Sequence, residues 1–277
     1  PNEQIIDTSA VWGSVALSRD KRVLALTTFA AEPTIYTFDL SGPVITGNAF
    51  EIYAPTYSGS KQPDVAQFAD AMDFSSDGTM LLFDVYNEIT VDGTKVGFWE
   101  INLIDVWDQA KGTFGTGTIF RLFPQEPGID LGNPHFARNK QTLFTCDAID
   151  RKTREGYILT SDYMLDKAMV VAQLPYNSPG YPCYRGDDRL ISFAANPLHG
   201  GGGVDSIYNV AIEADGMTAL NDPVGFVPWG IYPIWYRNGV RPTAVETPPA
   251  AIPSTVQLEQ NYPNPFNPST TLRFSVP

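Results

Sequence analysis

Residues 71–85, "AMDFSSDGTMLLFDV", set a short polar turn between two apolar runs, and the architecture follows from that plan. A short apolar step ends on Phe74, the small polar run 75–79 turns the chain, and an almost wholly apolar run leaves from Met80. Asp77-Gly78 supplies residues that tolerate the positive φ of a tight hairpin. The run 80–85 is apolar and aromatic, and too short for a stable helix, so the segment reads as two antiparallel strands.

The same plan recurs along the chain. It reads "VALSRDKRVLALTT" at 15–28, "PHFARNKQTLFTCDA" at 134–148 and "PCYRGDDRLISFAA" at 182–195, with a weaker copy, "YPIWYRNGVRPTA", at 232–244. Leu17, Phe74, Phe136 and Tyr184 align before the turn, and Trp235 or Tyr236 takes that place in the weaker copy. The turns at Asn139-Lys140, Asp187-Asp188 and Asn238-Gly239 are expected to supply positive φ as Asp77-Gly78 does. Further strands follow most copies: "TIYTFDL" (34–40), "GFWEINL" (97–103), "EGYILTSD" (155–162) and "SIYNVAI" (206–212). Three or four antiparallel strands repeated in this way make a propeller blade. The fold class is therefore all-β, a β-propeller of five or six blades. A β-sandwich is the alternative, because short strands with regular turns serve both. Spacings of 57, 62 and 48 residues between the aligned positions exceed the roughly 40–45 of a compact blade. The surplus is expected in loops at 87–95 and 196–203.

The second copy resembles the repeat of TolB-like propellers, Pro-x-aromatic-Ser-x-Asp-Gly-x-x-aliphatic, and lacks only the leading Pro. The other copies replace Asp-Gly with Arg19-Asp20, Asn139-Lys140 or Asp187-Asp188. The resemblance spans about residues 5–244 and implies a fold rather than an activity.

Composition narrows the partners. A net charge of −13 repels nucleic-acid phosphates, and the densest basic cluster, "RKTREG" at 151–156, reads as a solvated hairpin tip. No apolar run is long enough for a membrane-spanning helix. The opening "PNEQIIDTSA" has neither a basic nor an apolar leader region, so it reads as a processed end or an internal boundary. Cys146 and Cys183 form no metal or haem motif, which leaves one disulfide or two buried thiols.

After the propeller (1–244), residues 245–256 are a Pro-rich linker that cannot bury a core. The stretch 257–277, "QLEQNYPNPFNPSTTLRFSVP", then sets Asn-Pro steps before an alternating strand. It resembles the opening of the type A C-terminal sorting domain of type IX secretion cargo, found in Bacteroidota and related phyla. Leu258, Gln260, Asn261, Tyr262, Pro263, Asn264, Pro265, Phe266, Asn267, Pro268 and Thr270 all match that family's opening. The resemblance implies handling by the type IX machinery and a final location outside the cell or on its outer surface. The family's domain continues for several more strands, whereas this sequence stops at Pro277.

Chemistry is sparser. There is no G-x-S-x-G elbow, Walker loop or H-E-x-x-H. The run from His199, "HGGGGVDS", lacks the Lys-Ser/Thr of a phosphate cradle and reads as a loop. Asp73 and His135 occupy equivalent repeat positions, as do Ala16, Cys183 and Ile234, so they are expected to ring a central channel. A channel-facing carboxylate such as Asp73 would serve a glycan lyase or hydrolase, the alternative function. No cofactor is implied, although Asp84, Asp147 and Asp150 are candidates for a structural Ca²⁺. The stronger lead is aromatic: Tyr181, Trp229, Tyr232 and Trp235 fall near blade entrances, where exposed rings stack on sugars or anchor a protein partner. The reading is a secreted or cell-surface propeller acting in binding or assembly, with an extracellular protein or glycan as partner.

Overall fold

The computed structural model describes residues 7, 9–52, 65–123, 128–164, 167–175, 178–196 and 205–235, and the backbone of 257–258 and 274–275. Its first compact unit is built from four-stranded antiparallel sheets. The first comprises β1 (Trp12–Leu17), β2 (Val23–Thr28), β3 (Thr34–Asp39) and β4 (Thr46–Glu51). The second holds β5 (Val65–Phe74), β6 (Met80–Val91), β7 (Thr94–Asp105) and β10 (Ile119–Arg121). A short ribbon, β8 (Trp107–Asp108) with β9 (Thr113–Phe114), interrupts that sheet's last connection. The third is β11 (Ile129–Phe136), β12 (Leu143–Asp150), β13 (Glu155–Asp162) and β14 (Lys167–Leu174). The fourth is β15 (Gly180–Tyr184), β16 (Leu190–Ala195), β17 (Ser206–Ala211) and β18 (Val224–Pro228). The first strands β1, β5, β11 and β15 lie beside one another in chain order, and each sheet packs face to face on the next. The sheets are propeller blades.

This packing explains the apolar runs that follow each turn. A blade between two others buries both faces, so its second strand cannot alternate apolar with polar. Leu81, Phe83 and Val85 join Val23, Ala25, Ile35 and Phe50 in the seam with the first blade. Leu82, from the opposite face of β6, joins Phe136, Phe144 and Cys146 in the seam with the third. Leu143, Ile158 and Ala172 meet Tyr184, Ile191, Phe193 and Val210 in the last seam. Both cysteines are buried free thiols, which settles the open alternative in favour of no disulfide.

Some expectations are corrected. Four blades, not five or six, form among the described residues: the weaker copy at 232–244 forms no strand over 232–235, and the rest of it lies outside them. The surplus at 87–95 is not a loop but the end of a long hairpin. Ile89, Thr90 and Val91 continue β6 opposite β7, and Asp92 and Gly93 turn the chain with φ of 50° and 78°. Residues 197–203 lie outside the described set. The turns also differ. Gly78 and Asp188 take positive φ, as does Lys21 in the first blade. In each of these turns the N–H before the turn bonds the carbonyl five residues on, as Ser75 does to Met80. In the third blade Ala137 reaches Leu143, one residue farther, and this wider turn leaves Asn139 and Lys140 at negative φ. The tip at 151–154 is the hairpin turn expected.

The second unit spans 237–277. Within it β19 (Gln257–Leu258) pairs antiparallel with β20 (Phe274–Ser275), bringing the backbones of Leu258 and Phe274 opposite each other. The sorting-motif residues from Gln260 to Thr270 lie outside the described residues. No helix in the described residues is long and apolar enough to cross a membrane.

Candidate functional site

Every innermost strand slips register at the same place. The irregularities fall between Trp12 and Val15 in β1, Ala69 and Met72 in β5, Gly132 and His135 in β11, and Gly180 and Cys183 in β15. A β-bulge re-aims a side chain and leaves backbone N–H groups outside the ladder. Those N–H groups need acceptors, and the adjacent second strands provide them. Thr27 Oγ1 accepts the N–H of Ser14 at 3.1 Å. Asp84 Oδ1 accepts those of Ala71 at 2.7 Å and Asp70 at 3.3 Å.

The aspartates also reach the following blade. Asp84 Oδ2 accepts the N–H of Asn133 at 2.9 Å, which ties the second blade's bulge to the third's. Asp147 repeats the device: its Oδ2 accepts the N–H of Tyr181 at 3.1 Å and Nδ2 of Asn133 at 2.7 Å. Burial pushes the Asp84 carboxyl up to about 7, against the pull of the Asn133 and Ala71 N–H groups and with repulsion from Asp70 and Asp147 added. Burial likewise raises Asp147 to about 6, opposed by Asn133, Tyr181 and Gly132. Neither has a Lys, Arg or His within ion-pair distance among the described residues. Gly180 is required by this contact, since its φ is +72° and a Cβ there would overlap the Asp147 carboxyl group.

What the bulges display is a rim of side chains. Asn133 and Tyr181 stand at φ of 51° and 49° immediately before a proline, and Tyr232, before Pro233, repeats the conformation at 56°. Such a φ is rare for a large residue and unfavourable before proline, so the surrounding bonds must hold it. The Tyr181 and Tyr232 rings lie 4.2 Å apart between centroids, with their hydroxyls 3.3 Å apart. Asp70 is exposed, accepts the Ser14 hydroxyl at 3.0 Å, and helps raise the Tyr181 phenol above its ordinary value, behind burial, Tyr232 and Asp147. Ser14, Asp70, Asn133, Tyr181 and Tyr232 thus come together through one connected set of bonds.

The ring expected at Asp73 and His135 lies just beyond. Their Oδ2 and Nε2 atoms are 3.8 Å apart, so the structure does bring the pair together. The chemistry between them is limited. Asp73 Oδ2 accepts the Phe136 N–H at 2.8 Å, and Nε2 of His135 faces the Arg138 guanidinium at 3.0 Å. A guanidinium only donates, so Nε2 is the acceptor and the proton sits on Nδ1. Burial, above all, holds this imidazole below its ordinary range. Two acceptors facing each other share no proton, which is not the arrangement of a general acid and base. Arg19 extends from the first blade to the carbonyls of Ala137 and Arg138, and Asp188 caps the N–H groups of Arg138 and Asn139.

Of the remaining aromatics, Trp229 is 77% exposed, whereas Trp235 is partly buried, with Nε1 bonded to Ser192 Oγ at 2.6 Å and its ring stacked on Phe226. The Ca²⁺ candidates are otherwise engaged. Asp84 and Asp147 are committed to N–H donors, Asp150 caps the 151–154 turn, and no metal-binding group of three or more acidic, His or Cys residues occurs among the described residues. A cavity of about 360 Å³ lies between the second and third blades, walled by Phe98, Trp99, Phe123, Leu131, Tyr157 and Leu159. The buried carboxylate at its edge, Glu100, is already held by Arg121 and Asn102, so the rim is the better candidate.

Sequence reasoning missed Ser14, Asp70 and Asn133, and the supporting role of Asp84 and Asp147. A signal existed: Asn133-Pro134, Tyr181-Pro182 and Tyr232-Pro233 share an x-Pro step at one repeat position.

No protein-family model matches the sequence, and no curated protein does. Solved structures similar in fold include TolB from Acinetobacter baumannii, 17% identical over 78% of this chain and 43% of that one, with a TM-score of 0.49. The Dos1 propeller is 11% identical over 79% and 63%, with a TM-score of 0.43. An oligogalacturonate lyase in complex with manganese is 9% identical over 74% and 63%, with a TM-score of 0.36. The chain spans less than two thirds of each of these proteins, and at such identities the likeness is one of fold.

Proposed function

We propose that this chain is a binding module of the extracellular space or outer cell surface, and that it takes its ligand at the rim formed by Asp70, Asn133, Tyr181 and Tyr232. One observation carries the reading. Successive blades bulge at one level, and buried acceptors fix the bulges so that accessible aromatic and hydrogen-bonding groups are displayed together. Buried acceptors hold Asp70, Asn133 and Tyr181 in place from behind, so little ordering entropy is lost there when a ligand arrives. Type IX export, inferred from the match at 258–270, supplies the location, and the type IX machinery is then a transient partner.

The test is a titration screen of oligosaccharides and peptides against the unmodified protein and a Tyr232→Ala/Asp70→Ala double variant. Both positions are exposed, so the fold is expected to survive. At least one ligand class should bind the unmodified protein and lose about tenfold or more in affinity to the variant, as the loss of a stacked ring and a charged acceptor implies. Binding that the double variant leaves intact, or no binding at all, contradicts the proposal.

A further inference from the structure

We infer that the rim's ligand is a neutral carbohydrate, an inference that rests on the rim being the binding site. A sugar presents hydroxyl donors around its edge and apolar C–H groups on its faces, so it needs acceptors beside an aromatic plane. The rim offers both. Asp70 is exposed and spends one carboxylate oxygen on Ser14. Asn133 commits its amide N–H to Asp147, and its carbonyl oxygen takes no hydrogen bond from the described residues. Tyr232 packs against Tyr181 with the two ring planes tilted by 37° and is 58% exposed, and Trp229, nearby in sequence, is still more open.

Charge separates neutral from acidic sugars. The stretches that build the rim, 9–16, 66–72, 129–135, 178–183 and 224–235, contain no Lys or Arg. Arg19 and Arg138 sit in the turns that follow the inner strands, already engaged with Ala137, Arg138 and His135. A uronate or sulfate at the rim would meet Asp70 with no cation in these described stretches to offset it, on a chain of net charge −13. Size argues against a protein partner, because a few rim side chains fall far short of the roughly 800 Å² per side of a stable protein interface.

The experiment is calorimetric titration of the whole chain with short neutral gluco-, manno- and xylo-oligosaccharides. Oligogalacturonates, sulfated glycosaminoglycan fragments and an apolar peptide are run alongside. At least one neutral sugar should bind, with little dependence on salt. Tyr232→Ala should weaken it about tenfold or more, and Asp70→Asn, which keeps the Ser14 acceptor, by severalfold. If an acidic sugar or the peptide binds more tightly and is lost in Tyr232→Ala, the carbohydrate assignment falls while the rim stands. Neutral-sugar binding indifferent to both substitutions removes the rim as the site. No binding by any probe overturns both.

Discussion

Gly180→Ala is expected to destabilise the protein by about 3–5 kcal/mol, a large loss for one methyl group. The position combines two independent penalties. An L-residue at φ +72° costs about 1–2 kcal/mol, and the new Cβ lies where the Asp147 carboxyl group is. That carboxylate must move, and its bonds to the Tyr181 N–H and the Asn133 amide go with it. Gly186→Ala is the control. It lies in the turn that follows the same inner strand, has no positive φ and no neighbour within 4 Å of its Cβ, and should change stability by less than about 0.5 kcal/mol. Urea unfolding midpoints measured on both variants decide the matter, and similar midpoints would refute the steric account.

Asp84→Leu should cost about 2–4 kcal/mol, and here opposite effects must be weighed. Removing a buried carboxylate relieves desolvation, the cause that pushes it up to about 7. Leucine, however, leaves the N–H groups of Ala71, Asp70 and Asn133 without an acceptor, at about 1–3 kcal/mol for each well-formed bond lost. Two of those bonds are at 2.9 Å or shorter, so the orphaned donors outweigh the relief. Asp84→Asn keeps an acceptor oxygen for the Ala71 side and should fall between leucine and the unmodified protein. Thermal unfolding of the three proteins gives that ranking, and a leucine variant as stable as the original would show that the carboxylate holds nothing together.

The sequence exposed the frame of this fold better than its working surface, for a physical reason. Alternating turns and apolar runs are local, so hairpins such as 71–85 could be read from a few adjacent residues. The long hairpin over 80–105 was partly hidden because Asn87, Glu88 and Asp92 look loop-like, although Ile89 and Val91 continue the strand. Blade number depends on how the weaker copy at 232 is completed, which its Tyr-Pro step does not state. The rim lies further from local reading. Asp84 meets Asn133 across 49 residues, and nothing around either one names the other. Asp73 and His135 could be paired by repeat position alone. Their hydrogen-bond partners, the Phe136 N–H and the Arg138 guanidinium, are not named by that alignment.

Buried aspartates lock the bulge of one blade to the next. Amide hydrogen exchange at Asn133 and Tyr181 tests this lock, because both N–H groups are donated to carboxylates outside the strand ladder. Both amides should be protected to an extent comparable with the ladder amides of Phe144 and Ile191. Exchange at the rate of an open loop at both positions would contradict it.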